Sequence, residues 1–166
     1  MGRWLPGLVL MSDYGNNWNR YVDVLYSFYR QDFVRDKPHY YGKKLSVKKY
    51  PLIDNKEATF WHIIQEGEKE EERIPDLRRC ERIRWPKVII ENCEKCGIKI
   101  WENDRQTKKG KQISICIWHE IGEYIVILRK RVDYVLFWTS YPVVELHRKR
   151  KLEKEYRRYK NWQGTL

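Results

Sequence analysis

The stretch "QISICIWHEIGEYIVILRKRVDYVLFWTSYP", residues 112–142, decides how the chain folds. Three runs rich in β-branched and aromatic residues follow one another, "QISICIWH", "EYIVILRK" and "DYVLFWTSY". Only a turn around Gly122 and a tight turn near Val132-Asp133 separate them. Connections this short cannot cross over a sheet, so the strands must pair as antiparallel hairpins. A fourth run, "GIKIWEN", precedes them across "DRQTKKGK" and extends the meander.

Outward from this sheet the period changes. "NNWNRYVDVLYSFYRQDFV" sets Trp18, Tyr21, Val22, Leu25, Phe28 and Tyr29 at helical spacing, which predicts an N-terminal helix within residues 16–35 capped by Asn16 or Asn17. Pro38 and Gly42 break it in "RDKPHYYGKK". "ATFWHII", residues 58–64, has strand composition, and alternation would put Phe60, His62 and Ile64 on one face. Pro75-Asp76 opens a helix that Pro86 interrupts or restarts, running on to a stop at Gly97. At the far end, "ELHRKRKLEKEYRRYK" lines Leu152, Tyr156 and Tyr159 along one helical face. The expected architecture is α+β: N-terminal helices, a four-stranded or slightly larger antiparallel sheet, and a basic C-terminal helix. It is expected to form one domain over residues 1–166, with its working core in 58–160.

With 166 residues and 42% hydrophobic content, the chain can close one substantial core, and eight Trp and twelve Tyr bury much area per residue. A net charge of +11 favours polyanionic partners over small neutral ones. Between Glu145 and Lys160, eight Lys/Arg face three Glu. The opposite block, "EGEKEEE" at residues 66–72, has the composition of a solvated loop. No run approaches 18 apolar residues, and the N-terminus has neither a signal-length apolar core nor the Ser/Thr that acylation after Met-Gly requires. A cytoplasmic protein with reduced cysteines is expected.

Four arginines fall within "RRCERIR", residues 78–84. On a helix Arg78, Arg79 and Arg82 share a face, and guanidinium forks around phosphate oxygens. Spacing alone leaves two readings open, a solvated face with ordinary ion pairs or a phosphate receptor. Thr139 and Tyr141 point one way from the last strand and Ser140 the other, at an end fixed by Pro142. Cys93, Cys96, Cys116 and His119 come close to zinc-ribbon spacing. Three residues apart on a strand, however, Cys116 and His119 face opposite sides, so no metal is expected.

Taken in order, "DFVRDKPHYYGKKL…ATFWHII", "PDLRRCERIRWPKVII", "IWEND…ICIWHEIGEYIVIL", "YVLFWTSYPV" and "RKLEKEY" resemble the phage-associated nucleases of the barnase–EndoU–colicin–RelE-like superfamily. The likeness runs roughly from Trp18 to Tyr159 and lies in the order of the motifs. It implies a helical N-terminal part, a four-stranded antiparallel sheet, RNA cleavage without metal, and carriage as a toxin or effector by phages and mobile elements. The family's strand histidine matches His62, its "R..RI.W" helix matches Arg79, Arg82, Ile83 and Trp85, and its "T.Y" matches Thr139 and Tyr141. Ser140 stands where a small apolar residue is more usual.

The expected reaction is attack of a ribose 2′-hydroxyl on the adjacent phosphate, leaving a 2′,3′-cyclic phosphate and a 5′-hydroxyl end. His62 would move the proton, Arg79 and Arg82 would stabilise the phosphorane, Thr139 would hydrogen-bond it, and Tyr141 would donate or stack. Arg78, Arg148, Lys151 and Arg157 would grip the RNA backbone. The partners implied are tRNA or mRNA and a companion inhibitor protein, with no cofactor and no membrane. The rival reading is a non-catalytic basic RNA-binding or zinc-ribbon regulatory module.

Overall fold

A computed structural model describes residues 4–164; the expectation about acylation at Gly2 lies outside them. The architecture is α+β: a curled sheet with helices packed on one face and a long C-terminal helix on the other. Helix α1 (Trp18–Arg30) follows the predicted stripe, burying Tyr21, Val22, Leu25 and Tyr29. The Asn17 side chain accepts a hydrogen bond from the Arg20 N–H, the expected cap. One wider, π-type turn, Gln31–Arg35, carries the chain off the helix.

The meander forms as read. Strands β5 (Ile98–Thr107), β6 (Gly110–His119), β7 (Tyr124–Lys130) and β8 (Tyr134–Pro142) pair antiparallel in sequence. The sheet is larger than this meander, and mixed. A hairpin of β1 (His39–Tyr40) and β2 (Lys43–Val47) turns at Tyr41 and Gly42, both at positive φ, and β2 then pairs parallel to β8. The order is β1-β2-β8-β7-β6-β5, a mixed six-stranded sheet where a four-stranded or slightly larger antiparallel one was expected. Pro38 and Gly42 mark this stretch as a helix break; what makes Lys43–Val47 a strand is the free edge of β8. The pairing covers only Tyr134–Phe137, so Trp138–Pro142 has no strand beyond it.

The second correction concerns residues 58–64. They form helix α2 (Ala58–Ile64), and His62 is not a strand residue. Helical spacing buries Phe60, Ile63 and Ile64 and leaves Trp61 and His62 half-buried. The segment is fastened by the Ala58 and Thr59 N–H groups donating to Lys49 and Lys48 carbonyls. Packing of that apolar face overrides strand propensity.

A two-residue hairpin, β3 (Gln65–Glu66) with β4 (Ile74–Pro75), brackets the acidic run. Helix α3 (Leu77–Glu81) stops where Arg82 leaves helical geometry, and α4 (Trp85–Glu91) restarts with Pro86 in its first turn. Helices α1 to α4 enclose the main core against Val126, Leu128, Val135 and Phe137 of the sheet. On the opposite face Trp101, Cys116, Trp118 and Ile125 meet Leu152, Tyr156 and Tyr159 of α5 (Leu146–Gly164). No helix among the described residues is long and apolar enough to cross a membrane.

Candidate active site

The half of β8 with no strand on its outer edge is where α2 and α3 bring His62 and Arg79 against the sheet. Helix α2 ends at Ile64, and its last carbonyls need donors. Arg79 supplies them: Nη1 donates to the Gln65 carbonyl at 2.7 Å and reaches the His62 carbonyl at 3.5 Å. Asp76 orients this guanidinium from 3.6 Å while its other oxygen caps α3 through the Arg78 N–H. Arg79 also lies over the Tyr141 ring, 5.1 Å from its centroid, and is only 13% exposed. It is therefore built in, bolted to α2, α3 and β8 at once.

The three arginines expected on one face separate. Arg78 points outward, 54% exposed. The helix ends before Arg82, which donates to the Arg78 carbonyl and stacks 5.1 Å from the Trp85 ring centroid, with Glu81 at 3.6 Å. Only Arg79 joins His62; pairing Arg79 with Arg82 assumed a helix that continues through Arg82, and α3 ends at Glu81.

His62 opens into a recess of about 200 Å³ lined by Lys48, Thr59, Glu68, Glu70, Arg73 and Trp138. Its ring stands 5.2 Å from that of Trp138, and the Arg129 guanidinium lies 3.2 Å from the Trp138 centroid. Burial pushes the imidazole down to about 4, and the charges of Arg73, Arg79, Lys48 and Arg129 press the same way. The ring is thus neutral at physiological pH, able to accept a proton, and lies in a field of positive charge. Nδ1 of His62, Nε of Arg79, Nε of Arg129 and Oγ1 of Thr139 are all buried without a hydrogen-bond partner.

Sequence reasoning had missed Lys48, Glu68, Glu70, Arg73, Arg129 and Trp138. Lys48 is held by Thr59, whose Oγ1 accepts from the Lys48 N–H at 2.7 Å. The acidic run, exposed as expected, still turns Glu68 and Glu70 toward the recess. That placement depends on the β3–β4 hairpin, which no local signal announced. Glu68 and Glu70 are the carboxylates available as a second acid/base group.

Tyr141 and Ser140 take opposite sides, as alternation requires. Ser140 is in the core, its Oγ accepting from the Tyr124 hydroxyl at 2.9 Å. Tyr141 lines a second recess with Arg105, Arg148 and Lys151 between β8 and α5. Burial raises its pKa, which removes it further from base chemistry. Arg148 and Arg157 lie along α5 with Glu145 and Glu153 at 3.1 and 2.9 Å. Cys93 belongs to the core beneath the N-terminal helices and Cys116 to the layer under α5, while His119 Nδ1 accepts from the Gly122 N–H. Among the described residues no three His, Cys, Asp or Glu side chains gather in metal-binding geometry. No family model, curated protein or solved structure matches the chain.

Proposed function

We propose that the chain is an endoribonuclease that cuts by 2′-hydroxyl attack without a metal ion, leaving a 2′,3′-cyclic phosphate and a 5′-hydroxyl. The observation that carries this reading is a neutral imidazole, His62, in a recess lined by Lys48 and Arg73, with Arg79 and Arg129 close enough to act on its charge. The recess is small, and a phosphodiester is the common anion that both carries one charge and offers a proton to be moved next to it.

In this mechanism Lys48 and Arg73 bind the non-bridging oxygens, and Arg79 adds positive potential from the end of α2. His62 takes the 2′-hydroxyl proton. Glu68 or Glu70 exchanges the second proton, at the departing 5′-oxygen. As negative charge builds on the phosphorane, it raises the basicity of His62 at the moment the proton arrives, so base strength follows the reaction. Arg79 is fixed before substrate arrives, the condition under which electrostatic stabilisation counts most. Thr139 and Tyr141 border the path the strand takes along β8, and Arg78, Arg148, Lys151 and Arg157 lie further out as backbone contacts. Arg82 is left as a minor contributor.

The test is incubation with total RNA in EDTA, with the new ends analysed chemically. Cyclic-phosphate and 5′-hydroxyl ends that disappear in His62→Ala support the reading; no new ends from folded wild-type protein would sink it. The cations of α5 favour a second reading, RNA binding without turnover. The same assay separates the two: bound but intact RNA supports binding alone.

A further inference from the structure

We propose that Arg105, Arg129 and Arg131 form a second phosphodiester subsite on the α5 side of the sheet, which holds the linkage next to the one at His62. The inference rests on the chain's acting on RNA, and it is carried by a contrast between the two sides of the same strands. On one side the cations find partners: Lys130 meets Glu102 at 2.8 Å and Lys111 meets Asp104 at 3.0 Å. Arg105 and Arg129, at the alternate positions, and Arg131, just past the end of β7, have no carboxylate within 4.0 Å among the described residues. The carboxylate on that side, Glu155, accepts instead from Asn103 Nδ2 at 2.8 Å.

The register brings these arginines together. Arg105 pairs with Gln112 and Arg129 with Ser114, two residues apart on β6, and Arg131 follows β7 two residues after Arg129. Like charges so placed repel, and the Arg129 guanidinium is pushed down to about 10 by burial, then by Arg131 and Arg105. Its Nε is buried without a partner. A fold gains nothing by holding three guanidiniums together without a carboxylate unless an anion sits among them part of the time.

Location identifies the anion. A single indole, Trp138, separates the two sites, with Arg129 on it at 3.2 Å and His62 beside it at 5.2 Å. A strand whose scissile phosphate lies at His62 therefore carries its neighbouring phosphate past Trp138 to the arginines. Asn103, Gln112 and Ser114 supply neutral polar neighbours for the sugar.

A fluorescein-labelled 2′-deoxy tetranucleotide has the phosphates but no nucleophile, so its binding is read independently of cleavage. Anisotropy titrations at several salt concentrations would compare wild type, Arg105→Gln, Arg131→Gln, the double variant, and Arg20→Gln as an equal charge loss on α1. The double variant is expected to bind about tenfold more weakly, with a salt slope shallower by about 0.7 for each phosphate no longer neutralised. Arg105→Gln alone, at an exposed strand end, gives the same direction if the double variant folds poorly. The subsite is overturned if wild type does not bind, if folded variants keep its affinity and slope, or if Arg20→Gln weakens binding as much. Absence of cleaved ends in the RNA assay would remove the nuclease reading and leave this result standing.

Discussion

His62 and His119 are both held below the usual histidine range by burial, yet the two regions differ in kind. His119 ends β6 with its Nδ1 accepting from the Gly122 N–H at 2.7 Å and its ring against Trp4. Every feature of it is accounted for by the turn it closes. His62 has an unpartnered Nδ1, an open recess before it and four cations around it. The lesson is that burial alone says little about a histidine. What distinguishes the two rings is whether the fold already satisfies them.

The largest effect that would sharpen this contrast is on turnover. His62→Ala is expected to lower RNA cleavage by about 10²–10⁴-fold with little loss of stability. His119→Ala should leave cleavage within a few-fold and cost about 1 kcal/mol in denaturant unfolding, the worth of a buried hydrogen bond. Equal losses of activity would erase the distinction.

Next, Arg79→Ala should lower kcat by about 10²-fold and also destabilise the fold, since the Gln65 carbonyl and Asp76 lose their donor. Unfolding titrations beside kinetics separate the two losses. Arg82→Ala, by contrast, is expected to change cleavage less than about threefold, because its partners are Trp85 and Glu81.

The pH dependence follows from the direction of the His62 shift. A base must be unprotonated, so activity rises with pH; in free protein that limb lies near 4 in kcat/KM, and in kcat it lies higher because bound phosphate favours the imidazolium. Stability follows the same sign. Between about 6.5 and about 4 the unfolded chain binds the proton and the folded one resists it, so the contribution of His62 is present above 6.5 and lost as the pH falls toward 4. In His62→Ala that part of the slope should vanish from unfolding measured across the window.

The smallest effect is also the most diagnostic of a ligand. The Thr139 hydroxyl is buried without a partner, so Thr139→Val should raise stability by up to about 1 kcal/mol. If the hydroxyl meets substrate, the same change lowers cleavage several-fold. A variant both more stable and fully active would take Thr139 out of the site.

Much of this was legible in the chain itself. The meander followed from turn lengths, α1 from its stripe and its asparagine cap, α5 from three apolar residues among cations, and the Thr139/Tyr141 alternation from strand period. These depend on interactions close in sequence, where local chemistry speaks for itself. Residues 58–64 were misread because β-branched and aromatic composition suits a strand or a buried helix equally, and only packing chooses. The Arg79–Arg82 pairing failed for a related reason: α3 ends one residue too early for the spacing to hold.

The sequence by itself determined the antiparallel meander, the first and last helices and the supply of imidazole, guanidinium and hydroxyl groups. Tertiary structure alone decided which of them meet. Lys48, Arg73 and Arg129 come from a strand end, a hairpin and a central strand, and nothing local marks them as neighbours of His62. Their meeting depends on β2 pairing with only half of β8, because that leaves an open edge for α2 and α3 to fill.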